Sequence, residues 1–177
     1  MNLRLRYPLA RFSAWEGELC RCANRVGVRP WVCVPLQVAS RLGDGVFWYA
    51  LMAALLVFDG ARAREPVLRM VLTGLICIAL YRWLKGRTSR PRPYQLYTDI
   101  RLGTAPLDLY SFPSGHTLHA VAFSIVALAW YPVLAPLLLP FTLMVALSRV
   151  ALGLHYPSDV IAGALLGALV ATTVIWL

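Results

Sequence analysis

The chain has 177 residues, 59% of them hydrophobic and 14% charged, with a formal net charge of +9. The apolar residues come in long blocks, the profile of an integral membrane protein of one domain, residues 1–177. The basic surplus suits anionic lipid headgroups or an anionic substrate, and in a chain this apolar nucleic acid is not an expected partner.

Arg4, Arg6 and Arg11 open the chain with no apolar core of signal-peptide type behind them, so a cleaved signal is not expected. Phe12, Trp15, Leu19, Cys22 and Val26 then recur at helical spacing, with Arg11, Arg21 and Arg25 elsewhere on the turn. This predicts an amphipathic helix over Leu9 to Val28 that either lies in the membrane interface or packs on the protein's own spans. Cys20, Cys22, Cys33 and Cys77 have neither metal-ligand nor redox spacing and read as free thiols.

Pro30, Pro35, Gly43 and Gly45 break up the next stretch. The uncharged run between Asp44 and Asp59 is short against the ~20 residues that a bilayer core requires, so a full span there needs residues upstream of Asp44. Val67 to Leu84 is the second candidate span, with Arg69 and Arg82 near its ends, where long side chains reach the interface. Thr117 to Tyr131, Val133 to Leu154 and Ser158 to Leu177 follow, the first two separated by a tight turn at "YPVLAP". The expected fold is all-α, an integral membrane helical bundle of about five transmembrane helices with an N-terminal amphipathic interfacial helix. A further span near Trp31 to Ala39 would change that count.

Three polar clusters interrupt this pattern. "KGRTSRPRP", Lys85 to Pro93, holds Lys85, Arg87, Arg90 and Arg92 and no acid. Such a cluster after a span is a topology signal, yet its prolines stiffen it and present Lys85 and Arg92 at a fixed separation, which suits an oxyanion clamp. "PSGH", Pro113 to His116, starts a helix whose outward N–H groups, with Gly115 allowing close approach, can receive a phosphate on the amides of Ser114 and Gly115. Ser114 also serves as an ordinary cap, but a cap leaves His116 unexplained. In "SRVALGLHYPSD", Ser148 to Asp159, Arg149 places a charge in an apolar run and calls for a partner. Asp159 caps a helix start or, alternatively, accepts the Nδ1 hydrogen bond of His155 and leaves Nε2 free as a nucleophile. With the spans as read, all three clusters lie on one membrane face.

Lys85-x6-Arg92-Pro93, Pro113-Ser114-Gly115-His116 and Ser148-Arg149-x5-His155-x3-Asp159 resemble, in order, the three signature motifs of the type 2 phosphatidic acid phosphatase superfamily, which includes the vanadium haloperoxidases. The resemblance covers residues 85–159 and leaves 1–45 outside. It implies that His155 attacks phosphorus to form a phosphohistidine, that Asp159 orients it, and that His116 protonates the leaving oxygen and then activates water. It also implies that Lys85, Arg92, Arg149, Ser114 and the Gly115 amide hold the phosphate oxygens.

His119, one turn after His116, is outside the signature and is expected to line the cavity. His116, His119, His155 and Asp159 include the ligand types of a zinc site, but the cationic clamp already supplies the charge a metal would bring, so no metal and no cofactor is expected. The expected activity is a membrane lipid phosphatase acting on undecaprenyl pyrophosphate. Phosphatidylglycerophosphate, phosphatidic acid or a lipid A phosphate are alternative substrates, and a vanadate-dependent haloperoxidase or a non-catalytic binder of anionic lipid are alternative functions. The partners are the lipid phosphate and membrane lipids, and the expected location is a bacterial inner membrane. The positive-inside rule places the active face in the cytoplasm, whereas the resemblance allows the outer face.

Overall fold

The computed structural model describes the backbone of residues 6–177 and the side chains from residue 14 onward. Arg4, and the side chains of Leu9, Arg11 and Phe12, lie outside the described residues. Among the described residues eight helices follow in order: α1 Arg6–Gly27, α2 Pro30–Gly43, α3 Val46–Asp59, α4 Arg64–Thr88, the one-turn α5 Pro93–Leu96, α6 Gly115–Trp130, α7 Ala135–Ala151 and α8 Pro157–Ile175. Short 3-10 turns join α3 to α4 and α6 to α7. Prolines open α2, α5 and α8, where the missing N–H costs no hydrogen bond.

All five expected apolar segments are helical. Among the described residues, Val46–Leu96, Pro132–Ala151 and Pro157–Ile175 are long and apolar enough to cross a membrane, and Gly115–Trp130 is a shorter apolar helix. α3 takes no residues from upstream of Asp44, because Gly45, at φ +142°, breaks the chain between α2 and α3, so the segment by itself is not a full span. Pro35, expected to interrupt its stretch, instead sits inside α2. With 14 residues, α2 and α3 each rise about 21 Å, less than the ~30 Å hydrocarbon core.

α1 packs on its neighbours through a polar and small stripe. Glu16, Gly17, Cys20, Asn24 and Gly27 face inward, while Trp15, Leu19, Cys22 and Val26 face outward. Gly17 meets the Tyr97 ring, and a Cβ on Gly27 would stand 2.5 Å from the Ala151 carbonyl oxygen. The expected apolar stripe is therefore real but outward-facing, while the opposite face packs on the protein.

The core of the bundle is the contact between α6 and α8. A Cβ on Gly163 would stand 2.5 Å from the Ser114 carbonyl oxygen, and Gly167 lies against the Leu118 carbonyl. Small residues at such crossings let two backbones touch. The Ser114 amide donates to the Asp159 carbonyl at 3.0 Å, locking the two helix starts together. Trp48, Met70, Leu118, Phe123 and Val126 continue the core between α3, α4 and α6.

Candidate active site

The three polar clusters meet at one end of the bundle, around a cavity of about 700 Å³. α4 brings Lys85 from its last turn, α6 brings His116 from its first, and α7 brings Arg149 from its last. The turn from α7 to α8 brings His155, made possible by Gly153 at φ +77°, a left-handed conformation that favours glycine. Lys85, Arg92, His116, Arg149 and His155 line the polar end, and Trp48, Met52, Met70, Leu75 and Phe123 line an apolar arm between α3, α4 and α6.

The two prolines flanking Arg92 hold the cation where its donors are all directed. Nε donates to the Asp108 carbonyl (3.2 Å), Nη2 to Asp108 Oδ1 (2.8 Å), and Nη1 to the Leu154 carbonyl (2.9 Å). Nη1 also lies 3.3 Å from His155 Nε2. Lys85 pairs with the other oxygen of Asp108. Burial pushes the Asp108 carboxyl up, but the hydrogen bonds and charges of Lys85 and Arg92 outweigh it and hold the group below the usual carboxylate range. Arg149 donates through Nη1 to Ser40 Oγ, and its Nε is buried without a partner.

His155 is buried, and its Nδ1 lies 3.7 Å from Asp159 Oδ2. That distance is a close approach and too long for a hydrogen bond, and Asp159 Oδ2 accepts instead from the Tyr156 amide at 2.8 Å. Asp159 therefore caps α8, and the expected Nδ1 hydrogen bond is corrected: the carboxylate faces the imidazole, whose Nδ1 is buried without a hydrogen-bond partner among the described residues. Catalytic hydrogen bonds are often long without substrate. Burial, followed by the charges of Arg149, Arg92, Lys85 and His116, holds the His155 imidazole well below its ordinary pKa. The ring is neutral at pH 7, the form a nucleophile requires.

Two expectations about Ser114 are corrected. Its hydroxyl pairs with Thr117 Oγ1 at 3.0 Å and makes no side-chain cap on α6, and its amide is engaged by the Asp159 carbonyl. The close approach of α6 and α8 causes the second, and it takes the Ser114 amide out of the phosphate cradle. His119 Nδ1 pairs with the Gly115 carbonyl at 2.8 Å, and its ring packs beside Tyr81 and Phe123 on the cavity wall. Among the described residues no group of three His, Cys, Asp or Glu converges as a metal site.

Sequence reasoning missed three acids and one arginine. Asp44, read only as a span boundary, contacts His116 Nε2, and Asp108 bridges Lys85 and Arg92. Glu16 and Arg90 join behind Asp159: Arg90 reaches Asp159 Oδ1 and Glu16 Oε2, each at 2.7 Å. Arg90 had one available signal, its place in the Arg90-Pro91-Arg92-Pro93 repeat. The loop carrying Asp108 is pinned by the N-terminal helices, with Asn24 bonded to Arg101 and Gln37 to Gly103.

A model of the PAP2 superfamily matches residues 66–177. The chain is 32% identical over 133 residues to the undecaprenyl-diphosphatase of Sulfolobus acidocaldarius, covering 73% of this chain and 62% of that protein. It is 34% identical over 128 residues to undecaprenyl-diphosphatase BcrC of Bacillus subtilis, covering 72% and 63%. The chain thus spans somewhat over three fifths of the length of these two relatives. Its fold matches the crystal structure of a transmembrane PAP2 type phosphatidylglycerolphosphate phosphatase from Bacillus subtilis with a TM-score of 0.75 at 23% identity, covering 94% of this chain and 85% of that one.

Proposed function

The chain is a multi-pass membrane protein that belongs to the PAP2 superfamily, and on that premise we propose that it is a lipid phosphatase converting undecaprenyl pyrophosphate to undecaprenyl phosphate. The carrying observation is one cavity that joins Lys85, Arg92, Arg149, His116 and His155 to an apolar arm. A diphosphate fits the charged end and a prenyl chain fits the arm, whose residues Tyr49, Val71 and Leu75 are exposed on the outer surface of α3 and α4. The names of the two undecaprenyl-diphosphatases favour this substrate over other lipid phosphates. The bacterial inner membrane is the location proposed, with the outward Trp15, Leu19 and Val26 face of α1 lying in its interface.

In this reading His155 Nε2 attacks the terminal phosphorus in line, a P–N bond forms, and the bridging P–O bond breaks. His116 gives its proton to the departing lipid phosphate, then takes a proton from water as that water attacks the phosphohistidine and frees inorganic phosphate. Lys85, Arg92 and Arg149, with the Gly115 amide, hold the oxygens on which charge develops, and Asp159 stabilises the His155 imidazolium. Asp108 and Asp44 release their partners as the phosphate enters.

The test is inorganic phosphate release by purified protein in detergent with EDTA, across undecaprenyl pyrophosphate, phosphatidylglycerophosphate, phosphatidic acid and lipid A. Release from undecaprenyl pyrophosphate is expected. Preferential release from another lipid would reassign the substrate, and no release from any of them would overturn the reading. In the same assay His119→Ala is expected to lose less than the ~10²-fold that removal of a positioned acid-base group causes. Its ring nitrogen is engaged by the Gly115 carbonyl rather than aimed at the reacting phosphorus.

A further inference from the structure

α1 lies outside the region that the family model matches, yet it places a buried carboxylate behind the nucleophile. Glu16 is fully buried, and its Oε2 accepts from Arg90 Nη2 at 2.7 Å and its Oε1 from the Ser158 amide at 2.9 Å. Arg90 Nη1 donates to Asp159 Oδ1 at 2.7 Å and Ser158 Oγ at 2.8 Å, and the guanidinium sits 4.0 Å over the Tyr156 ring. Glu16, Arg90, Asp159 and His155 therefore form a line of alternating charge once the imidazole becomes cationic.

We propose that Glu16 is a positioning residue for the reaction at His155: it neutralises Arg90 from behind, so that Asp159 keeps a net negative charge directed at the imidazolium. The inference rests on the phosphohistidine reading above. An isolated Arg90–Asp159 pair is neutral overall, and would leave the intermediate's imidazolium among Lys85, Arg92 and Arg149 without net compensation. Glu16 returns the group to a net charge of one negative unit, in surroundings where charges are felt strongly. Cys20, the other titratable group that α1 turns toward this cluster, adds no charge: burial first, then Glu16 and Asp159, push its thiol up to about 12.

Glu16→Gln keeps the size of the side chain and removes its charge. It is expected to lower kcat by about 10- to 100-fold, the range in which the carboxylate partners of metal-bound histidines act, with KM unchanged. The double variant Glu16→Gln/Arg90→Gln restores the net charge beside Asp159 and is expected to recover most of that loss. Glu18→Gln, an exposed acid of the same helix paired with Arg21, is expected to match the parent. A parental kcat in Glu16→Gln, or a double variant as slow as the single one, would overturn the proposal. If Glu16→Gln alone does not fold, the double variant decides by its own kcat, and failure of both to fold beside a folded Glu18→Gln assigns Glu16 to folding and overturns it too. An active parent silenced by His155→Ala upholds the underlying reading whatever Glu16 does.

Discussion

Replacing His155 with alanine is expected to reduce phosphate release by about 10⁴-fold or more, as loss of a covalent nucleophile does elsewhere, while the protein stays folded in detergent. The chemistry has no substitute at that position: His116 comes from the start of α6 and not from the α7–α8 turn, and His119 is engaged by the Gly115 carbonyl. The fold survives because each neighbour keeps another partner. Asp159 retains Arg90 and the Tyr156 amide, and Arg92 retains Asp108 and the Leu154 carbonyl. No buried charge is orphaned, which is the usual route to severe destabilisation. Phosphate release measured beside a thermal unfolding curve separates the two effects. Substantial turnover by folded His155→Ala would remove the phosphohistidine mechanism.

His116→Ala should cost about 10²- to 10⁴-fold on the lipid substrate, and its signature is more specific than its size. In the proposed mechanism His116 has two successive tasks, protonating the leaving oxygen and activating water. A chromogenic phosphate ester with an acidic leaving group needs little of the first and all of the second. With such a substrate the variant should release one equivalent of chromophore per enzyme and then stall, because the phosphohistidine forms but does not hydrolyse. Steady turnover without a burst would place His116 outside the second step, and a first turnover of the lipid substrate as fast as the parent's would place it outside the first.

The polar clusters were legible because each is short in sequence and conspicuous in an apolar chain. Lys85, Arg92, His116, Arg149, His155 and Asp159 converge as read. The acids that meet them were not legible. Glu16, Asp44 and Asp108 acquire roles only through contacts between distant segments, and an isolated carboxylate in a loop or on a polar helix face looks like ordinary solubility. The face of α1 could not be assigned from periodicity for a related reason. In water an apolar stripe turns inward, but a lipid exterior removes that preference, and here Glu16, Cys20 and Asn24 take the inner side because their hydrogen-bonding partners are there. Ser114 was misjudged because its amide is claimed by α8, a contact that depends on Gly163, far along the chain.

That glycine contact has a mechanical consequence. With the backbones of α6 and α8 touching at two levels, His116 and Asp159 ride on a single stiff jaw, whose separation is fixed by main chain and not by adaptable side chains. The opposing jaw is α3, short and bounded by Gly45 at φ +142° and Gly60 at φ +57°. Any widening of the cavity that keeps the His116–Asp159 spacing therefore has to come from the α3 and α4 side.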